Sequence, residues 1–366
     1  MFTTFADLCA AITATDKKLL VTAQNHLDNL TKPVGSLGRL EEFAAKLFTV
    51  YNGEFPLPLD PAMHILAAAD HGVYAEGVAQ NPQEVTHLMI LNILRGGAAI
   101  SVLARQNNMH ILLLDAGHKG ACPKYPNAVR INPLEMSGNI AKEDAMSLEC
   151  CERLILLGAH AVHEGIKNGY RIFSIGEMGI ANTTPATALF AELFGLEPAS
   201  ITGPGAGLSK ERIAHKAQVI AAALERHKKE HACKKEAREK TDVLQILASL
   251  GGFEIAALCG VVLGAAAMKC PVIIDGFIAT SAYAAAYCMD KNVQDYAFLS
   301  HASAEPGYQK IVQCLGQKPI LDLSMRLGEG TGACLALQLL RSAQAIYNEM
   351  ATFKDANIET DTYIPQ

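Results

Sequence analysis

Six short apolar runs, each closed by a glycine or a polar motif, restrict the fold of this chain more than any other feature. They are Met63–Ala69 before Asp70-His71-Gly72, His110–Leu114 before Asp115 and His118, and Arg171–Ile175 before Gly176-Glu177. The others are Ala199–Thr202 before Gly203-Pro204-Gly205, Pro271–Ile274 before Asp275-Gly276, and Pro319–Leu323 before Ser324-Met325-Arg326. Most are apolar throughout rather than alternating, as strands buried on both faces require. Helical patterns lie between them. Leu148, Cys151, Ile155, Ala159, Val162 and Ile166 fall at spacings of 3, 4, 4, 3 and 4 on one stripe, and Asn168-Gly169 stops it. Val85–Ala104 reads as another helix, interrupted at Gly96-Gly97. This alternation predicts an α/β fold with a mainly parallel six-stranded sheet flanked by helices. Ligands of such folds bind beyond the carboxyl ends of the strands, where every one of these polar motifs lies.

The chain has 366 residues, half of them apolar, so a large core is available. Both ends look helical. Residues 1–50 and 333–366 are expected to form a small helical domain, and residues 51–332 a large α/β domain. The net charge of −6, with no basic stripe, argues against nucleic acid as a partner. The first helix is interrupted by Asp7, Asp16, Lys17 and Lys18, unlike a signal peptide. The longest apolar run, Ile255–Met268, falls short of the ~18 residues of a membrane span. The ten cysteines include no Cys-x-x-Cys pair, which fits free thiols in a reducing cytoplasm. The stretch Glu225–Lys240, rich in lysine, reads as a solvated helix or a mobile connector.

The segment Asp322–Ala333 holds three glycines, Arg326 and Glu329 between a strand pattern and a helix pattern. A glycine turn entering a helix presents free backbone N–H groups that suit a phosphate, and an arginine fork suits it too. Glu329 does not fit a phosphate-only site. It fits a site that holds a phosphorylated sugar and also removes a proton. Glu177 either polarises a heterocycle or merely accepts nearby N–H groups, while Asn182, Thr183 and Thr184 suit caps of the following helix. Gly203–Gly207 is either a phosphate cradle or a structural turn, and it is not a dinucleotide fingerprint. Ser300–Gly307 brings together hydroxyls, His301 and Glu305, and suits hydrogen bonding to a sugar or phosphate. Asp70-His71 and Asp115 with His118 read as hydrogen-bonded loop residues rather than metal ligands. His227, His231 and Cys233 read as a solvated helix rather than a chelating patch.

Taken in order, these segments resemble the nicotinate-nucleotide–dimethylbenzimidazole phosphoribosyltransferase family of cobamide lower-ligand activation. The matching stretches are Lys32–Glu41, Ala69–Val73, Pro82–Thr86, Gly176–Pro185, Gly203–Leu208, Gly251–Ala256, Asp275–Phe277, Ser300–Gly307 and Arg326–Ala333. They span almost the full chain. The resemblance implies a Rossmann-like sheet, a cytoplasmic homodimer, and neither metal nor redox cofactor. It implies transfer of 5-phosphoribose from nicotinate mononucleotide to an aromatic base, with inversion at the anomeric carbon.

By the same motif matching, Glu329 corresponds to the general base and Glu177 lies near the nicotinate or ribose. Gly205, Lys216, Ser303, Arg326 and Gly328 hold the phosphate or the nicotinate carboxylate, and Asp275 lines the same pocket. His71, Gln80 and Leu88 lie near the incoming base. Gln80 and Leu88 stand where family members often have a small hydroxyl residue and a glutamine. Ala181 stands where glycine is usual. These departures raise the alternative of a different lower ligand, such as a purine, another benzimidazole or a phenol. A catalytically silent nucleotide-binding regulator would have no reason to keep Glu177 and Glu329. An NAD-dependent oxidoreductase would need a G-x-G-x-x-G after the first strand and an acid about 20 residues on, and neither is present.

Overall fold

The computed structural model describes residues 1–231 and 239–359. Its six strands are β1 (Ala62–Ala69), β2 (Met109–Gly117), β3 (Ala128–Arg130), β4 (Ile172–Met178), β5 (Val272–Ile274) and β6 (Ala297–Leu299). They pair in parallel throughout, in the order β3-β2-β1-β4-β5-β6. Helices α1 (Phe5–Ala10), α2 (Lys18–Asp28) and α3 (Arg39–Val50) precede the sheet. Helices α4 (Val85–Leu94) and α5 (Ala99–Gln106) link β1 to β2, and α6 (Leu148–Lys167) leads into β4. Between β4 and β5 come α7 (Thr183–Phe194), α8 (Lys210–Glu230), α9 (Lys240–Leu250) and α10 (Phe253–Ala267). Helix α11 (Phe277–Met289) joins β5 to β6, and α12 (Tyr308–Leu315) and α13 (Thr331–Glu349) follow.

All eight residues of β1 are buried, as a continuous apolar strand predicts. Met63, Ile65 and Ala67 belong to one apolar cluster with α6 and α10. Ala62, Leu66 and Ala68 face a second cluster with α3, α5 and α13. Helix α2 packs on α3 and α3 on α13, whereas α1 packs on α6 and α10 at the opposite face. Helix α6 begins where Ser147 Oγ accepts the Cys150 N–H at 3.1 Å and ends at Asn168, as its spacing predicts.

The membership of the sheet differs from the sequence reading in two places. Ala199–Thr202 is no strand: Pro198–Ser200 forms a 3-10 turn and Ile201 is buried against the chain at Gly307. Pro319–Leu323 contributes only an isolated bridge, Leu321 to His301. Their places are taken by β3 and β6, each three residues long. The stretch expected to be solvated is also different. Arg226 and His227 of α8 are buried, because Arg226 donates to the Ile140 carbonyl at 3.0 Å and to Ser249 Oγ at 2.8 Å. The remainder of that stretch, with Cys233, lies partly outside the described residues. Val85–Gln106 is long and apolar enough by composition to cross a membrane. The structure breaks it at Arg95–Ala98 into α4 and α5, of 10 and 8 residues, each too short for a ~30 Å hydrocarbon layer. None of the described cysteines forms a disulfide.

Candidate active site

The order of the sheet fixes where a ligand can enter. From β1 the chain turns to β2 on one side and later to β4 on the other, which leaves a crevice beyond the carboxyl ends at that switch. A cleft of about 390 Å³ opens there, over the ends of β4, β5 and β6. Its lining includes Glu177, Thr183, Gly205, Ser303, Arg326 and Glu329.

Glu329 lies in the turn before α13 and is 6% exposed. Its backbone is left-handed, with φ 61°, and its carboxylate Oε2 accepts the Ile100 N–H at 3.3 Å at the start of α5. Burial raises its pKa, and the Ile100 N–H opposes the rise. Asp275, at the end of β5, holds the same turn by accepting the N–H of Gly330 at 3.0 Å and of Ala333 at 3.1 Å. A carboxylate at the start of α13 suits the positive end of the helix. Burial raises the Asp275 pKa.

Glu177 stands at the end of β4 and is buried. Burial pushes its carboxyl up to about 8, and Glu254, Asp275 and Glu329 add to the rise. The opposing contact comes from Asn182 Nδ2, which donates to Glu177 Oε2. The sequence offers Asn182 as a cap of α7. Its backbone is already helical and its side chain makes no cap, so the amide is free to serve Glu177 instead.

The other end of the cleft is built for an anion. Lys216 reaches up from α8, fully buried, and its Nζ donates to Thr183 Oγ1 at 2.6 Å and to the Gly203 carbonyl at 3.4 Å. Burial lowers it to about 8, and Glu305 works against that. Glu305 accepts the Gly205 N–H and feels the charges of Lys216 and Arg326, though burial still raises its pKa. Ser303 Oγ accepts the Glu305 N–H at 3.3 Å. Arg326 is exposed at the mouth.

The structure therefore brings Glu177, Gly205, Ser303, Arg326, Gly328 and Glu329 around one cleft. Lys216 and Asp275 lie one layer beneath it. Gln80 is exposed and lines a small adjoining recess with Asn81, Gly179 and Gly205. His71 is buried behind the site, its Nε2 2.9 Å from Glu254 Oε1. Leu88 is 59% exposed and outside the lining, whereas Val85, Met89 and Asn81 form that wall. Sequence reasoning missed these three. The signal was present for two of them, because Val85 and Met89 are one helical turn apart on one face.

The loop residues weighed as metal ligands are hydrogen-bonded instead. His118 Nδ1 donates to Asp115 Oδ1 at 2.9 Å, Arg130 Nε to Asp115 Oδ2 at 2.7 Å, and the Lys119 N–H to Asp70 Oδ2 at 2.9 Å. Among the described residues one group has chelating spacing, Asp144, Glu230 and His231, and Arg226 already pairs with both carboxylates.

A phosphoribosyltransferase family model matches residues 12–358. The chain belongs to that family. Its relatives include the nicotinate-nucleotide–dimethylbenzimidazole phosphoribosyltransferase of Nitratidesulfovibrio vulgaris (strain DP4), 49% identical over 95% of this chain and 96% of that one. The protein of the same name from Chlorobaculum tepidum is 45% identical over 97% of this chain and 98% of its own. The crystal structure of CobT from Thermus thermophilus covers 93% of this phosphoribosyltransferase and 99% of itself, with a TM-score of 0.86 at 39% identity. The span matched by the family model takes in all six strands of this phosphoribosyltransferase and both Glu177 and Glu329.

Proposed function

We propose that this phosphoribosyltransferase moves 5-phosphoribose from nicotinate mononucleotide to 5,6-dimethylbenzimidazole or a related base. The products are nicotinate and an α-riboside 5′-phosphate, used in assembling the nucleotide loop of a cobamide. One observation carries the reading. Two buried carboxyl residues, Glu177 and Glu329, face a single cleft whose far end gathers Ser303 and Arg326, with Lys216 one layer beneath and bonded to Thr183 of the lining. The relatives' shared name supplies the substrates, and it favours neither a silent regulator nor a different lower ligand.

The chemistry follows from charge. The pyridinium of nicotinate mononucleotide is cationic, so its ring nitrogen leaves neutral when the C1′–N bond breaks. The sugar gains oxocarbenium character as it does so. Burial holds the Glu177 carboxyl near 8, which favours its protonated form at neutral pH when no cation lies beside it. A pyridinium placed beside it favours the carboxylate, so substrate binding itself ionises the group that steadies the developing charge. The incoming base forms the new C1′–N bond through one ring nitrogen and gives the proton on its other nitrogen to Glu329. A positioned base of this kind contributes about 10²–10⁴ in rate. Ser303 and Arg326 at the Gly205 turn anchor the 5′-phosphate, with the Lys216 charge beneath them acting through Thr183, and the anchor holds both rings in line across the ribose.

The same reading includes a homodimer in the cytoplasm, working on small molecules without nucleic acid or membrane. It includes a terminal helical unit, 1–50 with 333–366, beside the sheet domain 51–332; the packing of α2 on α3 and of α3 on α13 supports it, whereas α1 packs on α6 and α10 of the sheet domain. The test is incubation of the purified protein with nicotinate mononucleotide and a panel of bases, with products identified by mass and anomeric NMR. Nicotinate release with formation of an α-riboside is expected. Failure to release nicotinate with every base in the panel would reject the assignment.

A further inference from the structure

Beneath the cleft, in the middle of β1, lies a histidine that no motif marks. His64 is fully buried and is the register partner of Ser174 on β4. Its Nδ1 is 2.7 Å from Ser174 Oγ and its Nε2 is 2.9 Å from the Glu329 carbonyl oxygen. A carbonyl only accepts, so Nε2 carries the hydrogen and Nδ1 accepts the Ser174 hydroxyl. Burial lowers His64 to about 4, so this neutral tautomer persists across the working range. The ring also touches the chain just past Glu329: a Cβ on Gly330 would stand 2.0 Å from His64 Cε1.

The turn is thus gripped from two strands. Asp275 on β5 takes its N–H groups, and His64 on β1 takes its carbonyl. Glu329 needs both, because its left-handed backbone is one that a residue with a side chain leaves when it can. Without the imidazole donor the 329–330 peptide is held only on its N–H side, by Asp275, and the Glu329 carbonyl can tilt, which takes Oε2 off its line to the Ile100 N–H.

We propose that His64, oriented by Ser174, is a positioning residue that holds Glu329 in its proton-accepting place. The proposal rests on Glu329 being the base, as proposed above. His64→Leu is expected to lower kcat by roughly 10²-fold, the cost of a small misplacement of a catalytic group. KM for nicotinate mononucleotide should stay nearly constant. His64→Gln, which restores a donor at similar reach, should recover much of the loss. In a Glu329→Gln background the same His64→Leu change should cost almost nothing, since the base it serves is already gone.

Full kcat in folded His64→Leu, or an equal loss in the Glu329→Gln background, overturns the proposal. If His64→Leu does not fold, Ser174→Ala decides. It should lower kcat severalfold in the parent and not in Glu329→Gln, and an effect in both backgrounds overturns the proposal. A parent protein that releases no nicotinate defeats the function instead. The coupling is then read from the amide resonance of Ile100, which donates to Glu329: it should shift in His64→Leu, and an unmoved resonance overturns the proposal.

Discussion

Glu177 and Glu329 are interlocked through the glycines that precede them. A Cβ on Gly176 would stand 2.4 Å from the Glu329 carbonyl oxygen, and a Cβ on Gly328 would stand 2.5 Å from Glu177 Oε1. Each acid is seated where the other's neighbour has no side chain, so neither can shift alone. Gly176→Ala should drive the 328–330 turn away from β4, because the clash is with backbone. A loss of kcat of about 100-fold, with a stability cost of about 1–3 kcal/mol, is expected from kinetics and thermal melting.

Glu329→Gln keeps the shape of the side chain and removes its basicity. Turnover should fall by about 10²–10⁴. Affinity for nicotinate mononucleotide, measured by calorimetry, should barely change. Near-normal turnover would exclude Glu329 as the proton acceptor.

The pH dependence of nucleotide binding has a definite sign. Glu177 is protonated below about 8, and the cationic ring prefers its carboxylate, so affinity should rise with pH towards 8. One proton released on binding corresponds to as much as about tenfold per pH unit. Lys216 loses its charge above about 8, so affinity for the phosphate should fall there. An optimum near pH 8 follows. Glu177→Gln should flatten the rising limb, and Lys216→Arg should extend the range on the alkaline side, because arginine stays protonated.

Ala181 has φ 77°, a left-handed backbone in a residue with a side chain. Ala181→Gly should relieve that strain, less what glycine gives back to the unfolded chain. A net gain of about 0.5–1 kcal/mol is expected in denaturant melts. No gain would mean that the surroundings already compensate the strain.

Base selection should follow the wall and not the surface. Met89→Ala, inside the cleft, should raise KM for dimethylbenzimidazole by about tenfold, the scale of a lost apolar contact. Leu88→Gln, at an exposed position, should change it by less than about twofold. The reverse order in a competition assay would return base selection to Leu88.

Much of this architecture is legible in the sequence. Strands β1, β4 and β5 announce themselves as continuous apolar runs because both of their faces are covered, and β2 does so although His110–Leu112 is only partly covered. Strand β3 does not, because its three residues form a partly exposed edge. Ile201, buried, and Leu321, partly buried and bridged to His301, imitate strands because a loop that packs one apolar side chain looks locally the same. Glu177 and Ser303 stand out as polar positions at or just past strand ends, and Gly205, Arg326, Gly328 and Glu329 as glycine or charged positions in the turns that lead into α8 and α13. His64 and Asn182 cannot be singled out for their contacts. Each acts across a large sequence gap or in place of a cap, and neither arrangement leaves a local pattern.

His64 and Glu329 are separated by 265 positions in the chain. Strand β6 ends at Leu299, so a growing polypeptide has emitted every strand, and Glu177 with them, before the turn bearing Glu329 appears. A chain cut between them keeps every strand segment and Glu177 but lacks Glu329 and helix α13, which packs on β4 and β5. The two carboxylates of the cleft therefore meet only where the chain returns from β6 to the end of β4.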